Sequence, residues 1–207
     1  MKNDLALSTR EAIAQRRSIR KFKSDPIDDA VIRELLEAAR LAPSGCNSQP
    51  WRFKIVKDDA TKQQLQGLAF DQKFVSEAPV VLVVCVDVLG YLEGRVSGVQ
   101  DMGEIGAFSD NVCEVLNKGT QMKSKMGIDA ISASVAFNAA IAIEHIALRA
   151  LDFGLGTCWM RLFNDKAVRE LFNWEQHISP VALIPIGTPD ETPTARKRRP
   201  LDELILD

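Results

Sequence analysis

Two clusters of cations lie at opposite ends of the chain. The first is Arg16-Arg17-Ser18-Ile19-Arg20, and the second is Arg196-Lys197-Arg198-Arg199-Pro200. Because the chain of 207 residues has a formal net charge of −2 at pH 7, these clusters are local concentrations of positive charge in a protein that is not basic overall. Guanidinium groups match the geometry of phosphate and carboxylate oxygens. The clusters therefore predict anion binding, although a charge run alone more often marks a solvated surface.

A third segment suited to ligand binding is Ala42-Pro43-Ser44-Gly45-Cys46-Asn47-Ser48-Gln49-Pro50-Trp51, between a predicted helix and a predicted strand. Its short polar side chains offer hydrogen-bond donors and acceptors, and Gly45 allows close approach of a ligand. We expect Trp51 to fill buried volume, as large aromatic side chains do. Cys46 has no second cysteine nearby in the sequence, which favours an inert buried thiol.

The remaining residue types exclude several kinds of chemistry. The four cysteines show no C-x-x-C spacing, and the two histidines lie in no metal-binding motif, so we expect no metal site. No Ser or Cys motif accompanies the histidines, no pair of carboxylates stands out, and no G-x-G-x-x-G follows a strand. A bound redox cofactor would account for this lack of catalytic side chains, because the cofactor carries the electrons and the protein orients it.

Local patterns predict the elements that position these segments. Ser8 and Glu11 have the spacing of a capping box, which predicts a helix from Thr9 to Gln15. Asp28 caps a second helix that Pro43 ends. The other predictions are a strand at 53–57, a helix at 61–69, a strand at 79–86, mixed helix and loop at 89–125, a helix at 129–151, a strand at 157–161, a helix at 165–172 and a strand at 181–186.

The predicted helix at 129–151 is apolar on every side, so we expect it inside the domain or at a subunit interface. Glu144, His145 and Arg149 argue against a membrane span. The segment 1–7 lacks the apolar stretch of a signal peptide, which predicts a cytoplasmic protein. The irregular alternation of helices with few strands predicts one α+β domain over 1–207, with a mixed β-sheet surrounded by helices.

Four motifs occur in a characteristic order: Arg-Arg-Ser-Ile-Arg, the segment 42–51, Gly154-Leu155-Gly156-Thr157-Cys158-Trp159, and the terminal Arg-x-Arg-x-Pro-Leu. In this order they resemble the FMN-dependent nitroreductase family over roughly residues 10 to 205. The resemblance implies a nitroreductase-like fold and a domain-intertwined homodimer with FMN at the subunit interface. NADH or NADPH would be the co-substrate, and a nitroaromatic compound, quinone or related small-molecule acceptor would take the electrons in a ping-pong reaction.

The resemblance also implies roles for individual residues. Arg16 and Ser18 would contact the FMN phosphate and ribityl chain with Arg17 close by, and Arg196 and Arg198 would close on the same phosphate. Arg196 stands where many relatives have lysine.

Arg20 corresponds to a cation beside the flavin N1 and C2 carbonyl, where a fixed positive charge favours the anionic reduced ring. The alternative for Arg20 is a salt bridge to Asp25 or Asp28.

Two further segments acquire roles by the resemblance. The partner subunit's flavin would be contacted by the loop residues Pro43, Ser44, Gly45, Asn47 and Gln49. Cys158, Trp159 and Met160 lie where the family runs its backbone along the flavin ring near N5. Met160 and Arg161 replace an acidic-glycine pair of some relatives, so their substrate and nicotinamide preferences do not transfer.

Residues 89–125 would form a lid or insertion over the active site. Two kinds of alternative remain open. One is a relative on the same fold with different chemistry, such as reductive dehalogenation or flavin fragmentation. The other is a non-catalytic dimeric module that binds anions such as nucleic-acid phosphates. The pI near 5.8 argues against nucleic acid as a partner.

Overall fold

The computed structural model describes residues 6–206. Residues 1–5 and residue 207 lie outside this range. The prediction about a signal peptide in 1–7 and the predicted domain bounds of 1–207 therefore fall partly outside the described residues. The helices are α1 Thr9–Gln15, α2 Asp29–Arg40, α3 Asp59–Leu68, α4 Phe74–Glu77, α5 Val88–Glu104, α6 Asp110–Lys123, α7 Ile128–Leu151 and α8 Asp165–Leu171. The strands are β1 Trp51–Val56, β2 Val80–Asp87, β3 Gly156–Thr157 and β4 Ile178–Gly187.

The four strands form one sheet in the order β1-β2-β4-β3, which confirms the α+β class. β2 is a run of β-branched residues whose side chains are buried on both faces, as expected of a central strand covered by helices. All three strand pairs are antiparallel, whereas the sequence predicted a mixed sheet. The sequence pattern of a strand does not specify the direction of its neighbour, which is decided only by the tertiary structure. The parallel pairing among the described residues is a single bridge between Ser18 and Thr157.

The long helix α7 lies in the core. Its buried residues include Val135, Ala139 and Ile146, and it packs against α2 and the sheet. By length and mean hydropathy, 1.5 over its most apolar window, α7 could also cross a membrane, and in this structure nine of its 24 residues are buried in the core. Phe137 on the same helix is 60% exposed, so part of the apolar surface of α7 faces outward.

The segment 89–125 contains more helix than predicted. It forms most of α5 and all of α6, separated by a short loop. Glycines weaken isolated helices, which is why the pattern favoured mixed helix and loop. In α5, however, glycine permits contact with the segment 46–48: a Cβ at Gly94 would lie 2.6 Å from the carbonyl oxygen of Ser48, and a Cβ at Gly98 would overlap that of Cys46. Tertiary packing therefore requires the residues that local propensity disfavours.

Helix boundaries agree closely with the local signals. The capping box of Ser8 and Glu11 is present, and the Asp28 side chain accepts a hydrogen bond from Ala30 N–H. Gly154, with φ of +67°, follows the end of α7 in the left-handed conformation.

Strand boundaries agree less well. The predicted strand at 157–161 is reduced to the two residues of β3 and a separate bridge between Met160 and Leu183. The predicted strand at 181–186 is the middle of the longer β4. Strand ends depend on the partner strand, which the local sequence does not specify.

Candidate functional site

The two basic clusters meet at one cavity of about 1090 Å³. The first cluster follows the end of α1, and the second lies in the segment after β4. The lining side chains that carry charge or a hydroxyl are Arg16, Arg17, Ser18, Arg20, Thr194, Arg196, Lys197 and Arg198. The structure therefore joins residues that are far apart in sequence into a single cationic surface, which we call the cationic cavity. Such a surface is suited to an anion with several oxygen atoms.

Backbone hydrogen bonds fix the first cluster beside the sheet. Ser18 forms the parallel bridge with Thr157, and Ile19 N–H donates to Thr157 O at 3.0 Å. The backbone N–H groups of Arg20 and Lys21 both donate to the carboxylate of Glu191. The first cluster is thus held between β3 and the chain that leaves β4, which also carries the second cluster.

Two arginines of the cationic cavity have partners within the chain. Arg17 Nη1 donates to Ala14 O at 2.7 Å and to Arg16 O at 2.8 Å. The guanidinium of Arg17 thereby satisfies carbonyls at the end of α1, a structural role that the sequence did not indicate. Arg16 Nε lies 3.3 Å from Oε1 of Glu144 on α7. An anion that binds Arg16 competes with this acid.

Arg20 is exposed in the cationic cavity. Among the described residues, its guanidinium forms no ion pair with Asp25 or Asp28, so the predicted alternative of a structural salt bridge is not found. Its charge acts on the nearby Cys158. Burial raises the pKa of the Cys158 thiol, and the positive charge of Arg20 opposes that rise. Arg20 is therefore close enough to influence the electrostatics at the end of β3.

A second cavity of about 390 Å³ shares Arg16 and Ser18 with the cationic cavity. It extends along Thr157, Trp159 and Arg161. We call it the ring cavity, after the indole ring of Trp159 that lines it. The lining residues are mostly uncharged, with Trp159, Ile143 and Ala147 offering apolar surface. One end of the combined space is cationic, and the other end combines the aromatic and apolar surface with the charged side chains of Glu144 and Arg161.

Side chains alternate in direction along 157–161. Thr157, Trp159 and Arg161 line the ring cavity, whereas Cys158 and Met160 point into the core on the other face of the sheet. The predicted contribution of Cys158 and Met160 to a ligand is thus limited to their backbone atoms. Burial raises the pKa of the Cys158 thiol, which favours the neutral thiol over the reactive thiolate.

The loop 43–49 lines neither the cationic cavity nor the ring cavity of its own chain. Gly45 N–H donates to Asn138 Oδ1 at 3.0 Å, and Gln49 N–H donates to Ser44 Oγ at 3.0 Å. Gln49 Nε2 donates to Asn47 Oδ1 at 3.1 Å. These bonds hold an ordered loop whose Pro43, Asn47 and Gln49 are exposed to solvent.

The backbone of this loop is strained. Cys46, Asn47 and Gln49 have φ values of 52°, 50° and 43°, a region that L residues seldom occupy. Cys46 is half-buried, so the prediction of a buried thiol was wrong, because residues 46–48 form a turn against α5 and leave the side chain partly open.

The sequence analysis did not predict four residues that contact the candidate site residues: Thr157, Glu191, Glu144 and Asn138. The first two act through hydrogen bonds to the backbone of the first cluster, for which no sequence signal exists. Asn138 is 1% exposed and is the polar residue among the buried residues of α7, and that polar interruption of the apolar pattern was a detectable signal. Within residues 6–206, no group of three or more His, Cys, Asp or Glu side chains is arranged to hold a metal ion.

Comparison with known proteins identifies the fold and the family. The Nitroreductase family profile matches residues 13–188. The chain belongs to the nitroreductase family. It is 34% identical over 201 residues to an NADH dehydrogenase of Thermus thermophilus, a match that covers 97% of this chain and 96% of the relative.

Two further members of the group are informative. A protein from Exiguobacterium sibiricum 255-15, solved in complex with FMN, superposes with a TM-score of 0.79 at 24% identity and covers 98% of both chains. A 5,6-dimethylbenzimidazole synthase of Rhodospirillum rubrum is 27% identical over 191 residues, which is 91% of this chain and 82% of that relative. This chain is therefore similar to proteins with different named activities.

Proposed function

We propose that this nitroreductase-family protein is an FMN-containing, NAD(P)H-dependent oxidoreductase that reduces nitroaromatic, quinone or related acceptors. The observation that carries the proposal is the meeting of Arg16, Arg196 and Arg198 at one cavity that continues past Ser18 into the ring cavity. A cationic end and an aromatic end in one space match the two ends of a flavin mononucleotide. The names of the relatives support both the flavin and the nicotinamide co-substrate.

The donor set fits the cofactor. Guanidinium groups of Arg16, Arg196 and Arg198 are suited to bind a phosphate dianion. Bound FMN would supply the redox chemistry, accepting a hydride from a nicotinamide and later giving it to a second compound. The absence of an acid–base dyad in the ring cavity accords with chemistry that the cofactor performs.

The chain's own residues then bind, orient and tune. Ser18 lines both cavities and is held by its bridge to Thr157, and its hydroxyl would bind the ribityl chain of the cofactor. Arg20 lines the cationic cavity, and its positive charge would stabilise negative charge that develops on a ring bound in the neighbouring ring cavity. Trp159, 41% exposed, provides a wall for the ring cavity, while the backbone at 158–160 offers its polar groups.

We propose that the active unit is a homodimer of single-domain chains, residues 1–207, in the cytoplasm. The loop 43–49 is ordered, polar and exposed, but it does not line the cavities of its own chain, so a second subunit gives it a role. The exposed Phe137 on α7 supplies apolar surface for such an interface. In this arrangement α5, which packs against the loop 43–49, would extend with α6 over the active site to which the partner subunit contributes its cavities.

The direct test is the absorbance of the purified protein. A flavin spectrum that bleaches with NADH or NADPH under anaerobic conditions, and returns on addition of a quinone or nitroaromatic compound, supports the oxidoreductase. Initial-rate patterns that are parallel in the two substrates support the ping-pong order. A colourless protein that does not bind added FMN would leave an anion-binding module as the better explanation.

Flavin fragmentation is the second candidate, because a relative with 27% identity is named 5,6-dimethylbenzimidazole synthase. This activity consumes the flavin instead of cycling it. Incubation of the reduced protein with oxygen, followed by chromatography of the small molecules, distinguishes the two. Recovery of intact FMN after many turnovers contradicts fragmentation. Dehalogenation is tested separately, by an anaerobic screen of halogenated aromatic acceptors.

A further inference from the structure

A third cavity, of about 230 Å³, lies between α7, α8 and β4. Arg161 lines both this cavity and the ring cavity. A single guanidinium group therefore stands where the two spaces meet. A molecule that reacts in the ring cavity and carries a side group toward the third cavity would pass Arg161.

The third cavity contains three cations, Arg161, Lys166 and Arg169. Within residues 6–206, none of the three side chains forms an ion pair or donates a hydrogen bond to another protein group. Two acids, Asp129 and Asp165, also line the cavity, yet neither lies within ion-pair distance of the cations. Asp165 Oδ1 instead accepts a hydrogen bond from the backbone N–H of Lys166 at 3.0 Å.

This arrangement favours an external anion. The three cations against two carboxylates leave a net charge of +1 around the space. Three cations without partners can satisfy their donors on an oxyanion, and arginine does so in a planar, bidentate geometry. At roughly 30 Å³ per water molecule, the volume suffices for a phosphate, sulfonate or carboxylate group and the atoms that attach it.

We propose that Arg161, supported by Lys166 and Arg169, binds an oxyanion on the small molecule that reacts in the ring cavity. This inference rests on the proposed oxidoreductase function and names the chemistry that its site selects. The oxyanion has two possible sources, the 2′-phosphate of NADPH and an acidic group of the electron acceptor. Arg161 is then a specificity-determining residue, in a position where an acidic side chain would repel the same ligands.

The test uses the oxidised FMN-loaded protein and two matched pairs of ligands. The pairs are NADP⁺ with NAD⁺, and a quinone carboxylate with its methyl ester, so that each pair differs by one anionic group. Dissociation constants are measured by isothermal titration calorimetry for the wild type, Arg161→Gln and the control Arg33→Gln. Arg33 is exposed on α2 and lines none of the three cavities.

We expect the wild type to bind the anionic member of one pair about tenfold more tightly than its neutral counterpart, as a charge-assisted hydrogen bond provides. Arg161→Gln should abolish that preference and change the dissociation constant of the neutral member by no more than about twofold. Arg33→Gln should retain the preference of the wild type. Lys166→Gln and Arg169→Gln should each reduce it by a smaller factor. The pair that shows the preference identifies the source of the oxyanion.

Absence of a preference in both pairs for the wild type would overturn the inference. Equal weakening of both members by Arg161→Gln would overturn it as well, because that result indicates a structural role. Bleaching of the flavin by NADH or NADPH decides the proposed function separately. If bleaching occurs without an anion preference, only the inference fails; if the preference occurs without bleaching, only the proposed function fails.

Discussion

The guanidinium Nε of Arg16 lies 3.3 Å from the carboxylate of Glu144, at the boundary between the cationic cavity and the ring cavity. Glu144 of α7 thus partly neutralises the charge of Arg16, one of the cations of the cationic cavity. Both side chains are partly exposed, so the pair is weak in water. If the phosphate of FMN binds Arg16 as proposed, it competes with Glu144 for that guanidinium, and the pair then weakens FMN binding.

The first prediction concerns this pair. Arg16→Ala, and equally Arg198→Ala, should weaken FMN binding by ~1.5–3 kcal/mol because a charge-assisted hydrogen bond is lost. Glu144→Gln should tighten binding by up to about 1 kcal/mol, the upper range for an exposed ion pair. Fluorescence titration of the FMN-free protein measures all three changes. Arg33→Ala is the control, and unchanged affinity in Arg16→Ala and Arg198→Ala would refute the phosphate assignment.

The second prediction concerns Arg20. Arg20→Ala should fold and bind FMN, but the flavin midpoint potential and the rate of reduction by NAD(P)H should fall. The lost stabilisation of the reduced anion amounts to ~2–4 kcal/mol, by analogy with removal of one oxyanion donor. Stopped-flow reduction and a redox titration measure it. Lys21→Ala, which keeps the neighbouring backbone bond to Glu191, should behave as the wild type. An unchanged potential in Arg20→Ala would show that its charge does not reach the ring.

The third prediction concerns the shared site. If the loop 43–49 serves the partner subunit, the double variant Asn47→Ala/Gln49→Ala and the variant Arg198→Ala should complement each other. A heterodimer of the two, isolated with two different tags, contains one intact site and one doubly defective site. It should bind about half the FMN of the wild type, whereas each homodimer binds little at the same concentration.

The opposite outcome of this experiment is equally distinct. If loop and cluster act within one chain, every site of the heterodimer is defective and FMN binding stays low. A wild-type protein that is monomeric by light scattering and still holds FMN at low micromolar concentration would also contradict the dimer. We expect the interface to bury well above ~2,000 Å², as in permanent complexes.

The fourth prediction concerns the contact of α5 with the loop. Gly98→Ala should displace residues 46–48, because the new Cβ overlaps Cys46 O, and should lower both stability and FMN binding. Gly67→Ala is the matched control, since a Cβ at this exposed helical glycine meets nothing within 4 Å. It should raise the free energy of unfolding by ~0.5–1 kcal/mol through helix propensity. Urea denaturation compares the two, and equal effects would refute the packing argument.

The fifth prediction concerns alkaline stability. Burial raises the pKa of Cys85 from 9.0 to about 12, so the folded state keeps this thiol protonated. Its contribution is complete below pH 9 and is lost as the pH rises toward 12, because only the unfolded state ionises in that window. The free energy of unfolding should fall by ~1.4 kcal/mol per pH unit from this residue.

Two variants on β2 separate the thiol from its packing. Cys85→Ala should be less stable at neutral pH but should lose part of the alkaline slope, measured by urea denaturation at pH 8.5 to 10.5. The remaining slope would include the contribution of Cys158, whose pKa burial also raises. Val83→Ala, which removes buried volume from the same strand without removing a thiol, should be less stable at every pH and keep the slope. Equal slopes in the two variants would assign the alkaline loss to other groups.

Local features of this protein were readable from the sequence. The capping box at Ser8, the cap at Asp28 and the apolar run of β2 each involve residues within a few positions of one another, and each formed as predicted. The order of the four motifs also indicated the family that the profile match to residues 13–188 then showed. These features can be predicted from the sequence because helix caps and hydrophobic periodicity depend on residues that are close together in the chain.

Other features were decided by the tertiary structure alone. Which side chains of 157–161 face the ring cavity depends on register, because Met160 pairs with Leu183 and a shift of one residue would reverse every side chain. The helical state of α5 depends on the close approach of Gly94 and Gly98 to the segment 46–48.

The ion pair of Arg16 with Glu144 depends on where the sheet places α1 and α7. The meeting of Arg16 with Arg198 was expected from the family resemblance, and it depends on where the sheet places α1 and the chain after β4. These relationships arise from burial and pairing between segments distant in sequence, for which local patterns carry no information.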